Sequence, residues 1–127
     1  MNKMICNSVD FAFRSEVEKV TSGGVILLPG AEWQRLEATE KPVYTSDIKR
    51  EDAGYLLEET VSVQTRYNRA PVLRSHVAFY YILRLRTDTE TFFVGTPTYP
   101  ALLEMTSDRV FDNLSFKATF PAILPDI

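Results

Sequence analysis

The chain has 127 residues, a length that fits one domain with a hydrophobic core of its own. Hydrophobic residues make up 45% and charged residues 24%, which are ordinary values for a globular protein and argue against long disorder. The net charge of −3, from 14 Lys and Arg against 17 Asp and Glu, disfavours a nucleic-acid-binding protein without a local basic patch. We therefore predict a single globular domain over residues 1–127.

Cysteine usage and hydropathy indicate a reducing compartment and no membrane. The single cysteine, Cys6, cannot form a disulfide within the chain, and the N-terminal MNKMICNSVDFAFR lacks the apolar core of a secretory signal. The longest apolar run, VILLPGA, is far shorter than the roughly 20 residues that span a bilayer. A soluble protein is predicted.

The N-terminal region contains a predicted strand followed by an ambiguous segment. Alternating apolar residues at Val9, Phe11 and Phe13 predict the strand, because successive side chains of a strand point to opposite faces. Ser15–Glu18 then has the spacing of a helix capping box, and Gly23 could end such a helix. The strand alternation also continues through Ser15–Glu18, so helix and strand remain alternatives there.

Two further strands are predicted before a long polar segment. They cover 24–28 and 33–38, and a Pro-Gly turn separates them. Residues 39–54, TEKPVYTSDIKREDAG, predict a long loop with a short strand at 43–45. Loops of this length tend to be functional, so we predict that residues 39–54 form a contact arm.

Residues 55–67 and 112–120 alternate apolar and polar side chains and predict two strands. Glu59 is a misfit, because it falls on the apolar side of the first strand. A buried carboxylate is costly unless it is paired. The sequence therefore predicts that Glu59 lies at an exposed sheet end or bulge, or that it contacts an arginine.

Residues 77–94, VAFYYILRLRTDTETFFV, predict a hairpin in which 77–86 pairs with 91–95 across a short polar loop. One face of its first strand is apolar and predicts a contribution to the core. The other face mixes aromatic, aliphatic and cationic side chains: Ala78, Tyr80, Ile82, Arg84 and Arg86. This second face predicts either a binding surface or a second packed layer.

A short helix is predicted near residues 100–105, since Pro100 suits a first helical turn and ALLEM consists of good helix formers. About seven short strands with one helix predict a mainly β fold. The two candidate architectures are an antiparallel β-sandwich and a partly open β-barrel.

The sequence predicts no catalytic, cofactor or metal site. One histidine and one cysteine cannot build a structural zinc site. His76 is the only candidate general base, and a dyad with Cys6 would need both residues in one place. Glu58 and Glu59 are adjacent and point to opposite sides of a strand, and no phosphate-binding glycine motif occurs.

Residues 54–127 resemble small structural proteins of bacterial phages and prophages, particularly those of tails and tail-like particles. The segments that carry the resemblance are GYLLEETVSVQTRY, VAFYYILRLRTDTETFFVGT, PTYPALLEMTS and NLSFKATFPAILPD. The resemblance implies a barrel or sandwich subunit of the tail-tube type, which assembles into rings through sheet edges and long loops. Residues 39–54 would then be an arm between subunits.

The sequence thus favours a non-enzymatic structural or assembly protein of phage origin, with copies of itself or other virion proteins as partners. Its predicted location is the cytoplasm during assembly, with the virion as a final location. The alternative is a binding module, either a small-ligand barrel or a single-strand nucleic-acid binder that uses Tyr80, Arg84 and Arg86. The candidate interface residues are Tyr80, Ile82, Arg84, Arg86, Phe93, Lys49 and Arg50.

Overall fold

The computed structural model describes residues 2–52, 54–75 and 79–121, and this part of the chain is mainly β, as predicted. The strands are β1 (Asn2–Ile5), β2 (Ser8–Phe13), β3 (Val17–Thr21), β4 (Gly24–Leu27), β5 (Gln34–Arg35), β6 (Val43–Glu51), β7 (Gly54–Arg66), β8 (Tyr80–Arg86), β9 (Thr91–Val94), β10 (Ala101–Ser107) and β11 (Phe111–Pro121). The helical segments are a 3-10 turn, Arg14–Glu16, and the short helix α1, Pro71–Ser75. Neither of these described segments could cross a bilayer.

Nine of the strands form one antiparallel sheet, and β3 and β4 form a separate hairpin. The order in the large sheet is β1-β6-β7-β11-β10-β8-β2-β5, and β9 pairs with β8. This path is open, so the fold is an open sheet and not a closed barrel. The eleven described strands exceed the roughly seven predicted, because β1 and β10 were not predicted as strands, the start of β3 was left open between helix and strand, and β6 was expected to be mostly loop.

The sheet curves so that distant strands face each other across one core. The rings of Tyr44 on β6 and Phe92 on β9 lie 5.0 Å apart, although three strands separate β6 from β8, the partner of β9. A single bridge between Ala38 and Thr65 also connects the chain after β5 to β7. The buried apolar cluster between these strands contains Cys6, Val9, Phe11, Leu36, Val61, Val63, Leu73, Tyr81, Leu83, Leu85, Val94, Ala101, Leu103, Leu114, Phe116 and Ala118.

The helix predicted near residues 100–105 is wrong, because that segment is strand β10. Its side chains alternate between buried and exposed, with Ala101 and Leu103 inside and Leu102 and Glu104 outside. β10 pairs along Leu102–Ser107 with β11. Hydrogen bonding and burial in the sheet therefore override the helix propensity of ALLEM.

The long loop predicted over residues 39–54 is also wrong for most of its length. Residues 43–51 form β6, which pairs with β7 until Glu51 opposes Gly54. The prediction failed because one face of this hairpin is solvated, so β6 carries many polar residues. Its amino-acid composition is therefore similar to that of a loop. The strand predicted at 33–38 is reduced to Gln34–Arg35 and the bridge at Ala38.

The hairpin predicted between residues 77–86 and 91–95 is confirmed where the chain is described. β8 pairs with β9 from Leu83 opposite Val94 to Arg86 opposite Thr91. Residues 77 and 78 lie outside the described residues. The ambiguous segment at 15–18 is resolved into both elements, since the Arg14–Glu16 turn leads directly into β3.

Gly95 occupies a backbone position that we predict is closed to alanine. Its φ is +87°, and a Cβ atom would lie 3.1 Å from the Ala101 nitrogen and 3.1 Å from the Tyr81 carbonyl oxygen. Gly30 has the same φ of +87° but has no atom within 4 Å of a Cβ. We expect Gly95→Ala to lower the free energy of unfolding by about 2 to 4 kcal/mol and Gly30→Ala by about 1 kcal/mol.

Urea denaturation of the two variants measures this difference, because the strain of a positive φ is common to both. Equal losses in the two variants would show that crowding against Ala101 and Tyr81 contributes nothing.

Candidate interaction surface

Three large exposed side chains, Tyr80, Tyr99 and Leu102, lie close together: Tyr80 and Leu102 lie on the face of the sheet opposite the core, and Tyr99 lies beside them in the segment before β10. We call this set the aromatic patch. Leu102 on β10 pairs directly with Tyr80 on β8, and Tyr99 precedes β10 in the chain. Their exposed fractions are 49% for Leu102, 41% for Tyr80 and 42% for Tyr99. All three line one cleft of about 300 Å³.

Charged side chains border the aromatic patch. The Arg14 guanidinium lies 4.6 Å from the centroid of the Tyr80 ring, within the range of a cation–π contact. Lys117 on β11 pairs with Leu102, and Lys117 and Glu104 also line the cleft. An apolar centre with a charged rim is the usual composition of a protein contact surface.

The hairpin of β6 and β7 extends past the core, and we call the described residues of its free end, 47–52 and 54–58, the arm. Ile48 and Tyr55 are 52% and 42% exposed there. The pairing places both on the face that carries Tyr44 and the core, opposite to the face of the aromatic patch. Among the described strands, β1 pairs only with Val43–Ser46 of β6, so the outer edge of β6 beyond Ser46 carries no partner strand.

Lys49 and Arg50, both predicted as interface residues, lie on the arm. Lys49 forms an ion pair with Glu58 at 3.2 Å, and Arg50 is exposed and pairs across the hairpin with Tyr55. Glu58 also contacts Lys117 at 3.8 Å. These exposed ion pairs contribute little to stability. Lys49 and Arg50 therefore remain available for contacts with another surface.

Arg84 belongs to a different group, in which two arginines enclose one buried carboxylate. Asp10 on β2 is 2% exposed and accepts hydrogen bonds from Arg84 Nε at 3.0 Å, Arg84 Nη2 at 2.8 Å and Arg35 Nε at 2.9 Å. The Arg84 guanidinium also lies 5.0 Å from the centroid of the Trp33 ring. We call these four residues the Asp10 cluster.

Burial raises the pKa of Asp10, but the hydrogen bonds and positive charges of Arg35 and Arg84 outweigh burial, so its pKa lies below the ordinary value. The carboxylate therefore stays ionised at neutral pH. The cluster is a buried, hydrogen-bonded ion network that joins β2, β5 and β8.

The face predicted as either a binding surface or a second packed layer is divided by the structure. Ile82 is fully buried, so it contacts only the chain itself. Phe93 packs against Trp33 with ring centroids 5.9 Å apart, and a Cβ at Gly24 would lie 2.7 Å from the Phe93 ring. The β3–β4 hairpin and the segment containing Trp33 therefore cover this part of β8 and β9. Tyr80 remains exposed in the aromatic patch, and Arg86 is exposed at the far end of β8.

Glu59 is buried, and it contacts a tyrosine and not an arginine. Glu59 Oε2 accepts a hydrogen bond from the Tyr44 hydroxyl at 2.5 Å, and Glu59 is 9% exposed. Burial raises the pKa of Glu59, and the hydrogen bond from Tyr44 offsets this only in part. The prediction of an exposed end, a bulge or an arginine partner is therefore wrong.

Glu59 lines a cleft of about 390 Å³ beneath the β3–β4 hairpin, which we call the Glu59 cleft. The apolar walls come from Phe92 and Phe93 of β9 and Phe120 of β11. The signal for this cleft in the sequence was the misfit of Glu59 itself. The hairpin that covers the cleft could not be placed from local patterns.

The residues considered for catalysis do not form a site in the described part of the chain. Cys6 is fully buried, and its backbone nitrogen donates a hydrogen bond to the Pro42 carbonyl oxygen at 2.8 Å. Burial raises the pKa of the Cys6 thiol, which disfavours the reactive thiolate. His76 lies outside the described residues. Residues 2–52, 54–75 and 79–121 contain no cluster of three metal-ligating side chains.

Comparison with known proteins finds no family model, no curated protein and no solved structure that matches this chain.

Proposed function

We propose that the chain is a structural subunit of the phage-tail type, which assembles head to tail with copies of itself and acts through protein contacts, not catalysis. The observation that carries this proposal is the aromatic patch. Single exposed apolar side chains are ordinary on protein surfaces, whereas Tyr80, Tyr99 and Leu102 share one cleft. Tyrosine and arginine are enriched at the centres of protein interfaces, and Arg14 borders this patch.

The arm is the part of a second copy that we propose occupies the patch. Ile48 and Tyr55 offer apolar groups of a size that suits the cleft, and they lie on the opposite face of the sheet. Two different apolar surfaces on opposite faces favour a heterologous contact, which generates rings or filaments, over an isologous dimer. The open outer edge of β6 beyond Ser46 can add backbone hydrogen bonds to such a contact.

This arrangement agrees with the assembly mode that the resemblance implies, in which rings form through sheet edges and extended segments. The proposed location follows from the same reasoning: the subunit folds in the cytoplasm and becomes part of a particle. Its partners are then copies of itself or neighbouring virion proteins.

Size-exclusion chromatography with light scattering, from micromolar to millimolar concentration, tests this proposal with two double variants. The first, Tyr99→Ser with Leu102→Thr, removes the patch, and the second, Ile48→Thr with Tyr55→Thr, removes the arm. We expect the wild type to form higher oligomers and each double variant to be monomeric. An equimolar mixture of the two variants should give dimers, because one intact patch and one intact arm remain.

The matched control is Ile26→Thr with Val110→Thr, which removes residues of 40% and 58% exposure elsewhere on the surface. It should leave the oligomeric state unchanged. A wild-type chain that stays monomeric at millimolar concentration would refute the proposal, and dimers formed by the arm variant alone would replace it with patch-to-patch contact.

The alternative of a single-strand nucleic-acid binder receives no support from the geometry of Arg84. Its guanidinium is bound to Asp10, and its side chain is 24% exposed. Tyr80, Arg84 and Arg86 therefore do not present one open stacking surface, which single-strand binding requires. We favour protein contacts for this reason.

A further inference from the structure

Glu59 is a buried acid for which the described residues provide no cation. Among the described residues, the Tyr44 hydroxyl is its only hydrogen-bond partner and binds Oε2, while its second oxygen, Oε1, accepts no hydrogen bond. A carboxylate inside a protein is normally paired with a positive charge or saturated with hydrogen bonds. Among the described residues, Thr65 Oγ1 is the one fully buried side-chain polar atom that has no hydrogen-bond partner. Glu59 Oε1 also has none, so it is not fully buried and is accessible from the cleft. Glu59 therefore has an unused acceptor.

The cleft in front of Glu59 is shaped for a small molecule. Its volume of about 390 Å³ lies within the range of small-molecule pockets. Phe92, Phe93 and Phe120 contribute aromatic walls, and the β3–β4 hairpin closes one side. Among the described residues that line the cleft, Glu59 is the only charged one. The lining thus combines one negative charge with aromatic surface.

We propose that the Glu59 cleft is a binding site for a small primary amine with an aromatic or apolar body. The ammonium group would donate a hydrogen bond to Glu59 Oε1 and neutralise its charge. The apolar body would lie against the three phenylalanine rings, which also attract cations through their faces. A carboxylate excludes anionic ligands, and a neutral ligand leaves the buried charge unpaired.

The main competing explanation is that Glu59 is only a structural link between β6 and β7 through Tyr44. Two substitutions separate these roles. Glu59→Gln keeps an oxygen for the Tyr44 hydroxyl and removes the charge, whereas Tyr44→Phe removes the hydroxyl and keeps the carboxylate. A structural link depends on both residues, but amine binding depends on Glu59 alone.

Glu59→Gln is not expected to destabilise the fold at neutral pH, because burial disfavours the charged form of Glu59. A carboxyl group with a raised pKa in the folded state stabilises the fold while it is protonated, and this contribution is lost as the pH rises through that pKa. Among the described residues, Tyr44 is the titratable group that faces Glu59. The pKa of Tyr44 is also raised, first by burial and then by Glu59, so Tyr44 stays protonated at neutral pH. At neutral pH, Glu59→Gln should therefore melt at the same temperature as the wild type or higher.

The experiment is isothermal titration of the full-length protein at neutral pH with three matched probes: phenethylamine, 2-phenylethanol and phenylacetate. We expect phenethylamine to bind at least about tenfold more tightly than the alcohol, because its ammonium pairs with a buried carboxylate. Phenylacetate should not bind. Glu59→Gln should reduce phenethylamine to the affinity of the alcohol, and Tyr44→Phe should leave it largely unchanged.

Several results would overturn the proposal. They are equal affinities for the amine and the alcohol, no detectable amine binding at millimolar concentration, or unchanged amine binding by Glu59→Gln. Loss of binding in Tyr44→Phe as complete as in Glu59→Gln would assign Glu59 to the structural link. The single patch variant Leu102→Thr should bind phenethylamine normally, because Leu102 lies on the opposite face of the sheet and does not line the Glu59 cleft, so the cleft and the proposed self-assembly can fail independently.

Discussion

Replacing Asp10 with alanine is expected to lower the free energy of unfolding by about 3 kcal/mol, because it leaves the partly buried Arg84 guanidinium without its carboxylate. Three charge-assisted hydrogen bonds disappear together in this variant. Chemical denaturation at neutral pH measures the change. Arg35→Ala is the matched control, since the Arg35 side chain is 56% exposed and its removal should cost less than about 1 kcal/mol.

The Asp10 cluster also predicts how the free energy of unfolding falls at acidic pH. The pKa of Asp10 is lowered in the folded state, so its contribution is complete above the unfolded-state pKa and is lost as the pH falls through the folded-state pKa. The wild type should therefore lose more stability than Asp10→Asn between about pH 5 and pH 2. Parallel pH profiles for the two proteins would show that Arg84 and Arg35 do not hold Asp10 ionised.

Replacing Tyr81 with alanine is expected to lower the free energy of unfolding by about 3 to 5 kcal/mol, because a fully buried aromatic side chain leaves a cavity. Its ring lies 5.9 Å from Phe11, 5.3 Å from Phe13 and 5.6 Å from Phe116, so three aromatic contacts are lost with it. Urea denaturation followed by circular dichroism measures the effect.

Tyr99→Ala is the matched control for Tyr81, since it removes the same side chain from a position that is 42% exposed. Below the concentration at which subunits associate, its cost should be under about 1 kcal/mol. A loss for Tyr81→Ala that is no larger than the loss for Tyr99→Ala would contradict the central place of Tyr81 in the core.

Strands whose sequences alternate apolar and polar residues could be predicted, and strands whose sequences lack that alternation could not. β7 and β11 alternate cleanly, and their ranges agree with the prediction to within about one residue at either end. β6 carries mostly polar residues on both faces, and β10 consists of good helix formers. Both are strands because their neighbours in the sheet satisfy their backbone hydrogen bonds, which no local pattern encodes.

The candidate surfaces show the same division between local and long-range information. Tyr80 could be predicted as an exposed residue of β8, but its neighbour Leu102 belonged to a segment assigned to a helix. The sequence left open whether the face that carries Arg84 is a binding surface or a second packed layer, because its partner Asp10 is distant in sequence and Trp33 contacts it from a third segment. Glu59 was recognised as a misfit, but only the pairing of β6 with β7 reveals Tyr44 as its partner.

The position of β11 has a consequence for how the chain acquires its fold during translation. β11 lies between β7 and β10 in the middle of the large sheet, yet every other described strand leaves the ribosome before it. Until residues 111–121 emerge, β7 has only β6 as a neighbour and β10 has only β8. The edges of β7 and β10 that later pair with β11 therefore have unsatisfied backbone hydrogen-bonding groups. The two halves of the sheet can therefore join only after β11 has been synthesised, and this delay exposes the nascent polypeptide to aggregation or to chaperones.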